Sequence, residues 1–139
     1  MTDRLTMAVP GKPEYVGTVR MAVAHVASSI GFDIEAIDDI KVAVSEACTN
    51  IICHAHGGGA FMYDVIIDLE ESRKITVTVK DTGVGFGMED YVEPVPGESS
   101  GSGLGIFIIR ALMDEVDIQS IPGKGTNILM AKYLGAKTA

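Results

Sequence analysis

Basic residues are scarce in this chain: eleven Lys and Arg stand against nineteen Asp and Glu, giving a net charge of −8 over 139 residues. That balance is a poor basis for gripping a polyphosphate backbone, so nucleic acid is not an expected partner. Long apolar runs are lacking too. No stretch approaches the roughly 18 uninterrupted apolar residues of a spanning helix, and no membrane partner is expected. The opening MTDRLTMAVP has no basic start followed by an apolar stretch. No signal peptide is read there, and a cytoplasmic location is expected. Only two cysteines occur, Cys48 and Cys53. Five apart on a segment that reads as helix, they point in different directions, which argues against a disulfide and fits a reducing compartment. With His54 and His56 they spell C-x4-C-H-x-H, but zinc sites usually draw on two separated ligand pairs and no second pair is present. Small buried thiols on a helix are the expectation.

With 47% hydrophobic and 22% charged residues, the chain can bury a real core, and its length fits one domain over 1–139. No internal repeat is found. Residues 4–9 alternate as a strand. Val16, Val19, Val23, Val26 and Ile30 then recur at helical spacing, with Gly31 placed to end the helix. A second helix begins near Asp33, carries Ile37, Ile40, Val44, Ala47 and Ile51 on one stripe, and is expected to end at Gly57-Gly58-Gly59. The period then changes from about 3.6 to 2. Residues 61–69 and 75–79 alternate on either side of a polar turn and predict an antiparallel hairpin.

From Asp81 to Gly103 regular pattern disappears. Seven of the 16 glycines fall between Gly83 and Gly105, which reads as a long functional loop. A third helix is predicted over 104–115, then strands over 116–121 and 126–133 joined by Pro122-Gly123-Lys124-Gly125. The order β, α, α, β, β, loop, α, β, β predicts an α+β two-layer sandwich, a mostly antiparallel sheet covered on one face by helices.

Three segments stand apart from an ordinary core. Glu46 and Asn50, four apart, share a face of the second helix with His54 one turn further on. This stripe lies about 100° around from Ala47 and Ile51 and so borders the buried face; a lone pair of this kind is ordinarily a solvated helix edge. Asp81-Thr82-Gly83-Val84-Gly85 follows a strand, where Asp and Gly most often mean only a turn. Gly101-Ser102-Gly103-Leu104-Gly105 runs into the third helix, where glycines and a helix N-terminus suit an anion. Three established signatures are missing: there is no G-x-x-x-x-G-K-[ST], no G-x-G-x-x-G between strand and helix, and neither His-Arg-Asp nor Asp-Phe-Gly. These absences exclude the usual P-loop, the dinucleotide fingerprint and the eukaryotic-type protein kinase.

Taken in order, helical Glu-x-x-x-Asn, D-x-G-x-G after a strand, a glycine-rich loop before a helix, and Gly125-Thr126 opening the last strand resemble the GHKL ATP-binding domain. That domain is shared by gyrase, the heat-shock chaperone, histidine kinases and mismatch-repair ATPases. Within it, Pro13-Glu14-Tyr15-Val16-Gly17, the run from Val42 through Ser45-Glu46-Ala47-Cys48-Thr49-Asn50, and Leu112-Met113-Asp114-Glu115-Val116 look like the bacterial anti-sigma factor serine-protein kinases of the general stress type.

The resemblance implies roles residue by residue. Asn50 would bind Mg2+ and Glu46 would be the general base. Asp81 would accept from the adenine amino group while Gly83 and Gly85 let the chain pass the base. Gly101, Ser102, Gly103, Leu104 and Gly105 would belong to the phosphate lid, Thr126 would sit near the adenine, and Arg20 would face protein partners. Glu89, Asp90, Glu93 and Glu98 come without Lys or Arg, so phosphate charge would be met by Mg2+, backbone N–H groups and a helix end. The protein this resemblance implies is an ATP-dependent serine kinase, expected as a homodimer, that sequesters a sigma factor and phosphorylates a small anti-sigma factor antagonist on serine. Two alternatives stay open. The stretch from Asp117 to Thr126 also resembles switch kinases that phosphorylate a stress-complex scaffold protein, and a module could bind ATP without catalysis.

Overall fold

The change of hydrophobic period along the chain is reproduced as a change of element. The computed structural model describes residues 2–54, 60–71, 73–81, 101–121 and 124–135. Strand β1 (Thr2–Pro10) leads through a short 3-10 turn (Pro13–Tyr15) into helices α1 (Val16–Ser29) and α2 (Ile34–His54). The hairpin β2 (Met62–Glu70) and β3 (Lys74–Asp81) follows, then helix α3 (Gly101–Leu112) and strands β4 (Glu115–Ile121) and β5 (Gly125–Tyr133).

Every neighbouring pair in the sheet is antiparallel, in the order β1-β2-β3-β5-β4. One face carries Val65, Ile67, Ile75, Val77, Val79, Ile128 and Met130, all buried, and the helices cover it. This is the expected α+β sandwich. Helix α2 packs between α1 and α3 and crosses β3. Of the apolar stripe expected from the sequence, Ile40, Val44, Ala47 and Ile51 are buried with Ala43 and Cys48 beside them, and Ile37 is half-buried.

Local signals set the helix ends. Gly31 takes φ +107°, a left-handed conformation that suits glycine, and closes α1. The Asp33 carboxylate accepts from the Ala36 N–H at 2.8 Å and caps α2.

Strand ends differ from expectation by one or two residues, and α3 lies three residues earlier at both ends. Helix α3 starts at Gly101 instead of Leu104, so Gly101, Ser102 and Gly103 are first-turn helix residues and not loop. Glu115 belongs to β4 and not to α3. Glycines have weak helix propensity, but tertiary packing overrides it: Gly103 and Gly105 lie buried. The thiols also differ, since Cys48 is buried and Cys53 is exposed. Five residues correspond to about 500° of helix rotation, which carries Cys53 off the buried face.

Candidate nucleotide site

The end of β3 holds the first half of the site. Side chains alternate across a strand, and Ile75, Val77 and Val79 point to the helices, so Asp81 is forced to the same side. The carboxylate is only 6% exposed and its Oδ2 has no hydrogen-bond partner among the described residues. A buried carboxylate oxygen without a donor is costly, and an incoming N–H group would meet its need.

Thr126 lies directly across from Asp81 on β5, and Ser120 directly across from Thr126 on β4. Both are buried, and their hydroxyls meet at 2.7 Å. Asp81, Thr126 and Ser120 therefore form one polar row over three strands at an otherwise apolar sheet end. A cleft of about 230 Å³ opens there, lined by Asp81, Thr126, Gln119, Lys124 and Asn127 among others.

Helix α2 supplies the second half. Asn50 is 4% exposed, and its Oδ1 has no partner among the described residues. Amide oxygens are good ligands for a hard cation, and Mg2+ commonly takes only one or two protein oxygens beside phosphates and waters. An orphaned buried oxygen fits that ion. Glu46, one turn earlier on the same face, is half-buried. Gly105 of α3 lies against it: a β-carbon there would stand 3.2 Å from Glu46 Oε2. The stripe ends at His54, which is exposed.

Beneath the helix, burial pushes the Cys48 thiol up from 9.0 to about 11, against a smaller lowering by the Tyr63 hydroxyl. Burial, reinforced by Cys48, also raises the Tyr63 phenol well above its ordinary value. Both stay protonated near neutrality, so Cys48 is a packing group and not a nucleophile.

Of the other expected residues, Leu104 is partly exposed on α3 and Arg20 is exposed on α1, where its Nη1 donates to Ser45 Oγ at 3.4 Å. Gly101 and Ser102 lie in the first turn of α3 with Gly103. Gly83, Gly85, Glu89, Asp90, Glu93 and Glu98 lie outside the described residues. Sequence reasoning missed Ser120 and the contact between Gly105 and Glu46. The period-2 pattern of β4 placed Ser120 on the face shared by Val116 and Ile118, a signal that could have found it.

Comparison with known proteins agrees with this geometry. The profile of the histidine kinase-like ATPase domain matches residues 9–132. The serine-protein kinases RsbW of Bacillus thuringiensis (strain Al Hakam) and Bacillus anthracis are each 37% identical over 141 residues, covering 95% of this chain and 86% of theirs. Among solved structures, the RsbU and RsbW domains of Rv1364c from Mycobacterium tuberculosis superpose with a TM-score of 0.69 at 20% identity. That match spans 99% of this chain and 34% of the other. The histidine kinase domain of the Erythrobacter litoralis EL346 blue-light activated kinase gives 0.59 at 24% identity, over 86% of this chain and 59% of its own. These two likenesses concern the fold. The chain belongs to the histidine kinase-like ATPase domain family and, within it, to the family of the serine-protein kinases RsbW.

Proposed function

We propose that this chain, as a single ATP-binding domain, is an ATP-dependent protein-serine kinase and anti-sigma factor. It holds a sigma factor and phosphorylates a small antagonist on serine, working as a homodimer in a stress response. The observation that supports this most is the pairing of a half-buried carboxylate, Glu46, with a buried amide oxygen of Asn50 that has no partner among the described residues, one turn along the same helix.

In this reading Asp81 accepts a hydrogen bond from the adenine amino group, with Thr126 beside it. Asn50 Oδ1 would hold Mg2+, which when bound offsets phosphate charge. The first turn of α3 directs backbone N–H groups and a favourable partial charge toward the phosphates. Glu46 accepts the proton of the substrate serine as its oxygen attacks the γ-phosphorus of ATP and the bond to the β,γ-bridging oxygen breaks to release ADP, and Arg20 on the neighbouring helix faces the protein partner. A module that only binds nucleotide has no use for the Glu46 base.

The test is affinity capture from native cell extract with ATP or ADP present, joined to an assay of serine phosphorylation on recovered proteins. Recovery of a sigma factor together with a phosphorylated small antagonist supports the proposal. Recovery of a large scaffold complex phosphorylated by this chain, without a sigma factor, replaces it with the switch-kinase reading.

A further inference from the structure

We propose that Ser120 is a positioning residue that orients the Thr126 hydroxyl and thereby sets the preference for adenine over guanine; this rests on the nucleotide-site reading above. The carrying observation is the buried 2.7 Å contact between Ser120 Oγ and Thr126 Oγ1, in line across β5 and β3 with Asp81, whose Oδ2 has no partner among the described residues.

A hydroxyl has one proton and two lone pairs. With Ser120 as donor, the Thr126 proton is left to point away from Ser120, toward the side where Asp81 stands. Either hydroxyl can donate across this contact; with Thr126 as donor, its one proton is spent on Ser120 and none is left for an incoming base. The proposed polarity is the one with Ser120 as donor. The row then offers one acceptor, Asp81, beside one donor, Thr126. Adenine presents the complement, an amino donor next to a ring-nitrogen acceptor. Guanine presents a carbonyl oxygen next to a ring N–H, so both contacts oppose.

Without Ser120 the Thr126 hydroxyl is free to turn and accept from guanine. Ser120→Ala should therefore narrow the ATP-over-GTP preference by roughly three- to tenfold, the scale of one neutral hydrogen bond. Ser120→Thr, which keeps a hydroxyl, should restore it. In a Thr126→Val background, Ser120→Ala should change the ratio no further, because its partner is gone.

Calorimetric titration of ATP and GTP into the full chain and these variants decides the matter, with thermal melts alongside. A purely structural role for Ser120 lowers the melting temperature and weakens both nucleotides equally. An unchanged ATP-to-GTP ratio in Ser120→Ala, or a further change in the Thr126→Val background, overturns the inference. Failure of the unaltered chain to prefer ATP would instead overturn the nucleotide-site reading itself.

Discussion

Gly105 of α3 faces Glu46 of α2 so closely that a β-carbon on the glycine would stand 3.2 Å from the Glu46 Oε2. Alanine in place of a mid-helix glycine ordinarily stabilises a helix by about 0.5–1 kcal/mol. At this position the added methyl must displace the Glu46 carboxylate by a few tenths of an ångström. Gly105→Ala is expected to keep or raise the melting temperature while antagonist phosphorylation falls, by about tenfold given how steeply transfer depends on geometry. Thermal melts and a kinase assay on one preparation check this. Full activity would show that Gly105 does not set the Glu46 position, and loss of ATP affinity alone would return it to the phosphate lid.

Asn50 predicts Mg2+-dependent ATP binding. Its buried Oδ1 has no partner among the described residues, and a contact to a charged group is worth about 1.5–3 kcal/mol. Removing the metal with a chelator should weaken ATP by roughly tenfold or more, and Asn50→Ala should abolish most of that sensitivity. Calorimetry with and without chelator measures both. Equal affinity in the two conditions would take Asn50 out of the metal role.

Asp81→Asn replaces an acceptor-only group with one that can also donate. ATP binding should weaken by roughly tenfold, and the preference for ATP over GTP should narrow, because the amide can turn its N–H toward the guanine carbonyl. An unchanged nucleotide preference would leave Asp81 as a turn residue that closes β3.

These residues were not equally visible in the sequence. The inward placement of Asp81 follows from strict alternation after Ile75, Val77 and Val79, and the shared face of Glu46 and Asn50 follows from helical spacing. Both are local facts. Helix α3 starts three residues before its sequence signal because Gly101-Ser102-Gly103 has weak helix propensity, while burial of Gly103 and Gly105 against the rest of the fold is a tertiary matter. The approach of Gly105 to Glu46 joins residues 59 positions apart in the numbering. The Ser120–Thr126 contact needed the register of β4 on β5, which periodicity alone does not give.

Burial of Cys48 and Tyr63 makes the fold sensitive to alkali. The Cys48 thiol is raised from 9.0 to about 11, so the fold favours its neutral form. Its contribution is complete below pH 9.0 and is lost as pH rises toward about 11, amounting to at most about 3 kcal/mol. The raised Tyr63 phenol adds a loss that begins above its ordinary 10.0. Denaturant titrations across this range should show stability declining from about pH 9. Cys48→Ala should postpone the onset to above pH 10. An unchanged onset in that variant would assign the alkaline loss elsewhere.

Glu46 separates an enzyme from a nucleotide-dependent clamp. A serine hydroxyl is a weak nucleophile near neutrality, and a base placed to accept its proton contributes typically about 10²–10⁴-fold. Glu46→Gln keeps the shape beside Gly105 and removes the basicity. If Glu46 is the base, the variant should bind ATP and antagonist nearly as before while phosphoryl transfer falls by roughly two orders of magnitude or more. Sigma-factor binding should survive, since it requires a folded, ATP-bound surface and no proton transfer. A helper role, in which Glu46 only orders the Mg2+ site through Asn50, predicts that ATP affinity falls together with turnover. Calorimetry and phosphorylation measured on the same preparation separate the two accounts, and near-normal phosphorylation by Glu46→Gln would refute the base mechanism outright.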